Sequence, residues 1–192
     1  MGKGRLEAFS DGVIAIIITI MVLEMKVPHG AGWADLTKLW PVFVSYVLSF
    51  VNVGIYWNNH HHMLHAVKRV NGGTLLANLH LLFWLSLTPF TTGWMGENHF
   101  AQLPVAVYAF NLMMSAVAYV ILQQQIIRLH GDDSTLAQAV GTDTKGKISM
   151  GAYVLAIPIA LLGYSWVAGA LMVAVALMWF IPDRRIEKIL AP

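Results

Sequence analysis

Long stretches of the chain carry no charged side chain, and short groups of charged residues separate them. The charge-free stretches cover residues 12–23, 39–67, 70–96, 98–127 and 148–182. A helix crosses a bilayer in about 20 residues, so the last stretch is too long for one crossing. The segment Gly163-Tyr164-Ser165 near its middle is expected to divide it. The pattern therefore predicts six transmembrane helices, near residues 8–27, 40–66, 74–96, 101–127, 148–163 and 166–181.

The overall composition supports a membrane protein. Hydrophobic residues make up 57% of the 192 residues and charged residues 11%, whereas soluble domains carry about 25% charged residues. The mean hydropathy is +0.63. We expect an all-α membrane protein in which residues 1–192 form a single domain. The chain has no cysteine, which excludes disulfides and thiol chemistry, and no segment suggests a nucleic-acid partner.

Lysine and arginine predict the orientation of these helices. If the N-terminus is cytoplasmic, six crossings leave only Lys26 and Lys38 outside, and the other 10 basic residues inside. Cytoplasmic loops of membrane proteins are enriched in these residues. We therefore expect both termini in the cytoplasm.

Asp11 is the exception in an otherwise apolar first helix. An ionisable side chain about one turn inside such a helix is costly, so it needs a partner and is a candidate functional site. Polar side chains of the second and third predicted helices lie at a similar depth. We expect the first three helices to pack through Arg5, Asp11, His61 or His62, Asn78 and His80. The spacing does not decide which histidine pairs with Asp11.

An apolar stripe also runs along the first helix. At 100° per residue, Gly12, Ile16, Thr19, Ile20 and Leu23 share one face. Taken alone, such a stripe is more typical of a core or lipid-facing surface than of a pore. Glycine and threonine on it would equally suit a helix contact.

Four histidines near the end of the second helix raise the possibility of a metal site. They are His60, His61, His62 and His65, and residues four apart share a helix face. No HExxH or ExxH pattern accompanies them, so interhelical hydrogen bonding is the favoured interpretation and no metal is predicted. The sequence also lacks a nucleophile constellation and a phosphate-binding loop. We therefore predict neither an enzyme nor a cofactor.

A short motif opens the first helix, with the pattern RxxxFSD at Arg5, Phe9, Ser10 and Asp11. In this position it resembles the prokaryotic members of the transmembrane protein 175 family, the endosomal and lysosomal potassium channels. The second helix is similar to that of the family at Tyr56, Trp57, His60 and His61. A looser LxxLxPF match follows at Leu82, Leu85, Pro89 and Phe90. The resemblance is strong through residue 90 and rests on the number of helices afterwards.

The resemblance implies a potassium-selective, leak-type cation channel. A chain with one six-helix repeat would form a homotetramer, with four copies of the first helix lining a central pore for potassium ions. The implied hydrophobic constriction consists of Ile16, Thr19, Ile20 and Leu23. The implied packing network of the signature and its neighbours consists of Arg5, Phe9, Ser10, Asp11, Trp57, His61, Asn78 and His80. The protein would lie in the cell membrane of a prokaryote, embedded in the lipid bilayer.

Two other functions fit the polar residues. Asp11 and the histidines could serve a secondary transporter or a proton pathway, although no inverted repeat or pair of broken helices supports a transporter. The histidine cluster could also serve a metal-dependent intramembrane enzyme. The channel is the favoured hypothesis.

Overall fold

A computed structural model describes residues 2–131, 134–141 and 143–180, and most of these residues are helical. In chain order the helices are α1 (Lys3–Leu23), α2 (Trp33–Thr37), α3 (Trp40–His65), α4 (Gly72–Ser86), α5 (Thr88–Glu97), α6 (Gln102–His130), α7 (Thr135–Val140), α8 (Thr144–Leu161) and α9 (Ser165–Phe180). The prediction of an all-α membrane protein is confirmed.

The prediction of six membrane-spanning helices is wrong. In the described ranges, four helical segments are long and apolar enough to cross a membrane: Lys3–Leu23, Trp40–His65, Gly72–Glu97 and Gln102–His130. The 16 residues of α9 extend about 24 Å, less than the hydrocarbon core of about 30 Å. Lys145 and Lys147 lie in the first turn of α8 and shorten its apolar part. The predicted cytoplasmic C-terminus, with Arg184, Arg185 and Lys188, lies outside the described residues.

Helix α6 forms the centre of the subunit. It packs against α4 and α5 on one side and against α8 and α9 on the other, whereas α1 packs at the edge against α3, α4 and α5. Two clusters of buried side chains follow this division: one joins α1, α3, α4 and the second half of α6, and the other joins the first half of α6 with α8 and α9. Because α1 lies at the edge, part of its surface has no neighbour within the subunit.

Hydrogen bonds between helix ends fix the direction of α1. At its start, the Lys3 ammonium donates to the carbonyl of His65 at the end of α3, 3.1 Å away. Just past its end, Lys26 pairs with Glu97 at 2.8 Å, and this hydrogen bond raises the pKa of Lys26. The end of α6 lies on the same side as Lys3, since Arg69 donates to the carbonyl of Leu129. The basic residues of three helix ends therefore gather at one end of the subunit.

The third apolar segment is interrupted in its middle. Helix α4 ends at Ser86 and α5 begins at Thr88, with Pro89 in its first turn, where the missing N–H of proline is tolerated. Asn71 caps the start of α4, because its side chain accepts from the Thr74 amide at 2.9 Å. At the other end, Gly96 lets α5 approach the α3 backbone closely: a Cβ there would lie 2.7 Å from the Val42 Cα.

Candidate functional site

Helix α1 has two opposite faces with different environments. The side chains that face the subunit interior recur every three or four residues, as one face of a helix requires: Leu6, Ser10, Ile14, Ile17 and Met21. The opposite face carries the predicted constriction residues. There Ile16 is 57% exposed, Ile20 39% and Leu23 78%, and Thr19 is exposed as well. The subunit thus covers one face of α1 and leaves the other open.

Thr19 is the one polar side chain among the four predicted constriction residues. The Thr19 hydroxyl donates to the carbonyl of Ile16 at 2.9 Å. Its hydrogen is therefore used within the helix, while the oxygen lone pairs remain available on the exposed face.

An open groove follows the flank of this face, between α1 and α5. Ile16 and Ile20 line it from α1, and Phe90 and Trp94 line it from α5. Glu24 and Glu97 border one end of it, where Glu97 is paired with Lys26. The groove has a volume of about 540 Å³, and its lining is mostly apolar.

A buried chain of three polar side chains ties α1 to α3 and α4. The Asn78 amide nitrogen donates to the Ser10 hydroxyl at 2.9 Å, and the Asn78 amide oxygen lies 2.7 Å from Nε2 of His60. Ser10 in turn donates to the carbonyl of Leu6 at 2.8 Å. All three side chains are at most 1% exposed. A chain of this kind is stabilising because each buried polar atom has a partner.

Asp11 has a different partner from any histidine. Its carboxylate accepts from the indole nitrogen of Trp57 at 3.0 Å. The Trp57 ring stacks on His61, with centroids 6.1 Å apart, and His61 stacks on His65 at 6.2 Å. The stack lies along an exposed edge of α3 and connects the α1 carboxylate to the end of that helix.

The structure brings together some of the predicted network residues and separates others. Ser10 contacts Asn78 directly, and Asp11 contacts Trp57, which stacks on His61. Arg5 and Phe9 are exposed. His80 lies outside the network and accepts from the Trp84 indole nitrogen at 3.0 Å within α4.

Sequence reasoning missed His60 as the member of the histidine group that turns inward. The signal was present in the periodicity: His60, Met63 and Leu64 share the buried face of α3 with Asn52 and Val53. In the described residues, no group of three or more histidine, aspartate or glutamate side chains is arranged to hold a metal ion.

Residues 5–89 match the sequence model of a protein family described as the endosomal/lysosomal potassium channel TMEM175. A protein of Chryseobacterium sp. (strain P1-3), named as a potassium channel, is 57% identical over 188 residues, which cover 98% of this chain and 97% of that protein. A protein of Streptomyces collinus, also named as a potassium channel, is 36% identical over 134 residues, covering 66% of this chain and 65% of that one.

The fold has a counterpart among solved structures. The crystal structure of a lysosomal potassium-selective channel TMEM175 homolog from Chamaesiphon minutus superposes with a TM-score of 0.82. The superposition covers 94% of this chain and 97% of that one, at 27% sequence identity. The match extends well past residue 89 and so includes the region that the family model leaves out.

Proposed function

Because this chain belongs to the TMEM175 family of endosomal/lysosomal potassium channels, we propose that potassium ions pass along the exposed face of α1, at the centre of a homotetramer. The chain is a membrane potassium channel and not an enzyme. The observation that carries the proposal is the uncovered stripe of Ile16, Thr19 and Leu23 opposite the buried face of α1. A single subunit encloses no path along this stripe, whereas four copies around an axis would.

In such a tetramer each exposed side chain of α1 forms a ring of four. The rings of Ile16 and Ile20 are about 6 Å apart along the axis, and those of Ile20 and Leu23 about 4.5 Å. Water leaves a narrow apolar ring easily, and an ion then faces a desolvation barrier. We assign the constriction to these rings. The ring of Thr19 oxygens between Ile16 and Leu23 offers lone pairs to a partly dehydrated cation.

The same geometry limits the expected selectivity. Potassium channels with carbonyl-lined filters replace the hydration shell of the ion with oxygen ligands. Apolar rings offer no such ligands, so discrimination rests on the smaller cost of stripping water from potassium than from sodium. We therefore propose a potassium-selective leak channel with modest selectivity.

We place the protein in the cell membrane of a prokaryote, with the basic end of the subunit in the cytoplasm. Lys3, Lys68, Arg69 and Arg128 lie at or next to the start of α1 and the ends of α3 and α6. Positive charge favours the cytoplasmic side. The end of the groove that Glu24 and Glu97 border then lies at the outer mouth.

Replacing Ile16 with asparagine tests the constriction. Four amide groups would hold water in the ring and lower the desolvation barrier. We expect Ile16→Asn to increase single-channel conductance several-fold and to reduce the potassium-over-sodium permeability ratio. Planar-bilayer recordings of purified channel, with reversal potentials in mixed potassium and sodium solutions, measure both quantities.

Ile17→Asn is the matched control. Ile17 is next in sequence but only 3% exposed, within the subunit core. The same substitution there should lower the yield of folded protein without changing the conductance of the channels that do form. A well-folded Ile16→Asn tetramer with unchanged conductance and unchanged selectivity would place the constriction away from Ile16.

A further inference from the structure

A small cavity lies inside the subunit, on the far side of α3 from α1. Four helices each contribute one aromatic side chain to its wall: Tyr56 from α3, Tyr119 from α6, Tyr153 from α8 and Trp179 from α9. The rings of Tyr56 and Tyr119 meet edge to face, with centroids 6.1 Å apart. Aromatic rings present a negative face, so a cavity walled by several of them attracts cations.

The cavity also contains a carboxylate. Asp143, directly before α8, lines it and accepts a hydrogen bond from the Gly146 amide. In the part of the chain that the structure describes, no salt bridge neutralises this carboxylate. The wall therefore combines aromatic faces with one negative charge.

Two tyrosine hydroxyls of the wall are available to a ligand. Tyr119 donates to the carbonyl of Asn59 at 3.3 Å. Among the described residues, the hydroxyls of Tyr56 and Tyr153 form no hydrogen bond, and their oxygens are not fully enclosed by protein. Both residues line the cavity, so their oxygens can accept from an N–H donor inside it.

The structure already shows an ammonium group on one of these rings. The Lys145 ammonium lies 5.6 Å from the centroid of the Trp179 ring. The Trp179 indole nitrogen donates to Ser149 at 2.9 Å, which fixes the orientation of the ring. Lys145 is not among the residues that line the cavity.

We propose that this cavity binds a small organic ammonium group, either of a free amine compound or of a lipid head group. The aromatic faces and the Asp143 carboxylate would hold the positive charge, and the Tyr56 and Tyr153 hydroxyls would accept from an N–H group. The cavity volume of about 50 Å³ would take about four water molecules, at 10–15 Å³ each. That space suits an ammonium head of four or five heavy atoms and excludes larger amines.

Binding of ethanolamine to the purified full-length channel, in nanodiscs of phosphatidylglycerol, tests the proposal. Ethanolamine fits the cavity in size and carries N–H donors, and titration calorimetry should show that it binds saturably. The neutral analogue 1,2-ethanediol has the shape of ethanolamine without its charge, and we expect its affinity to be at least about tenfold lower. Equal affinity for the charged and neutral compounds would overturn the proposal.

Two variants locate the site. Tyr153→Leu removes an aromatic ring from the wall and should weaken ethanolamine binding about tenfold. Asp143→Asn should have a similar effect while preserving the fold, since asparagine caps helices as well as aspartate and tolerates the left-handed backbone at φ 43°. Tyr164 is an exposed tyrosine in a loop. Its replacement, Tyr164→Leu, is the control and should leave the affinity unchanged. Ethanolamine binding of unchanged affinity in Asp143→Asn would overturn the proposal and place the site elsewhere, for example in the pore.

The lipid chosen for the nanodiscs distinguishes the two possible sources of the ammonium group, a lipid head group and a free amine compound. If a head group is the occupant, nanodiscs of phosphatidylethanolamine should abolish the ethanolamine signal by competition. An undiminished signal in those nanodiscs would identify a free amine compound. These measurements record binding and not current, so they are independent of the pore assignment.

Discussion

The Asn78 side chain of α4 attaches α1 to the rest of the subunit through hydrogen bonds. An amide offers one donor and one acceptor side, and both are used: the nitrogen for Ser10, the oxygen for His60. Since the amide oxygen can only accept, Nε2 of His60 carries the hydrogen. The amide therefore fixes the ring orientation of His60 as well as the position of Ser10, and one side chain joins three helices.

Replacing Asn78 with leucine should destabilise the subunit without affecting the permeation pathway. Leucine has a similar volume but leaves His60 without a partner in a buried environment, which costs about 1–3 kcal/mol. We expect a lower thermal unfolding midpoint in detergent and an unchanged potassium-over-sodium permeability ratio in the channels that form. Asn58→Leu, on the exposed side of α3, serves as the control. A changed permeability ratio in Asn78→Leu alone would show that the amide acts on the ion path.

At the residue scale, sequence reasoning identified the helices that meet but not the side chains that pair. It expected a histidine beside Asp11, and the structure places the Trp57 indole there. It named His61 or His62, and the buried histidine is His60. Adjacent histidines on a helix differ by 100° in direction. Choosing among them requires the helix rotation, and tertiary packing sets that rotation.

The contact between α3 and α5 determines how closely these helices approach. Gly96 lies against the α3 backbone at Val42 and against the Ser45 hydroxyl, where any side chain would collide. Small residues allow such approaches between membrane helices and increase their van der Waals contact. Because α5 also lines the groove beside the exposed face of α1, this contact helps to set the width of the groove.

Gly96→Ala should therefore push α5 away from α3. Overpacking of this kind costs about 1–3 kcal/mol, so we expect a lower unfolding midpoint and a smaller yield of assembled channel in size-exclusion chromatography. Gly93→Ala, one turn earlier in the same helix, is the matched control, because a Cβ there meets no atom within 4 Å. Equal stability of the two variants would contradict the close approach of the backbones.

At the element scale, charge-free stretches located the helices well but did not determine which of them cross the membrane. The observed α3 and α6 agree with the predicted stretches to within a few residues. The stretch of residues 148–182 was expected to form two crossings and instead holds the C-terminal part of α8 and the short α9. One face of these helices is apolar because it packs on protein, with Ala156, Ala160 and Ala168 fully buried, whereas Leu155, Trp166 and Leu177 are exposed on the outside. Hydropathy alone does not separate that cause from contact with lipid.

For the whole molecule we predict assembly into a tetramer. Native mass spectrometry of channel released from lipid nanodiscs should give the mass of four 21.2 kDa chains. The exposed stripe of α1 can enclose a path only between several copies. A stable monomer that still conducts after reconstitution would contradict both the assembly and the assignment of the pore to α1.

The open face of α1 has a consequence for how the channel is made. Isoleucine and leucine side chains are as well solvated by acyl chains as by other apolar side chains, so a newly inserted subunit pays no penalty for leaving Ile16, Ile20 and Leu23 exposed in the bilayer. Single subunits can therefore persist and diffuse in the membrane before they meet. If subunits assemble around α1 as proposed, assembly must expel lipid from this face, and an acyl chain retained there would leave a complete but silent channel.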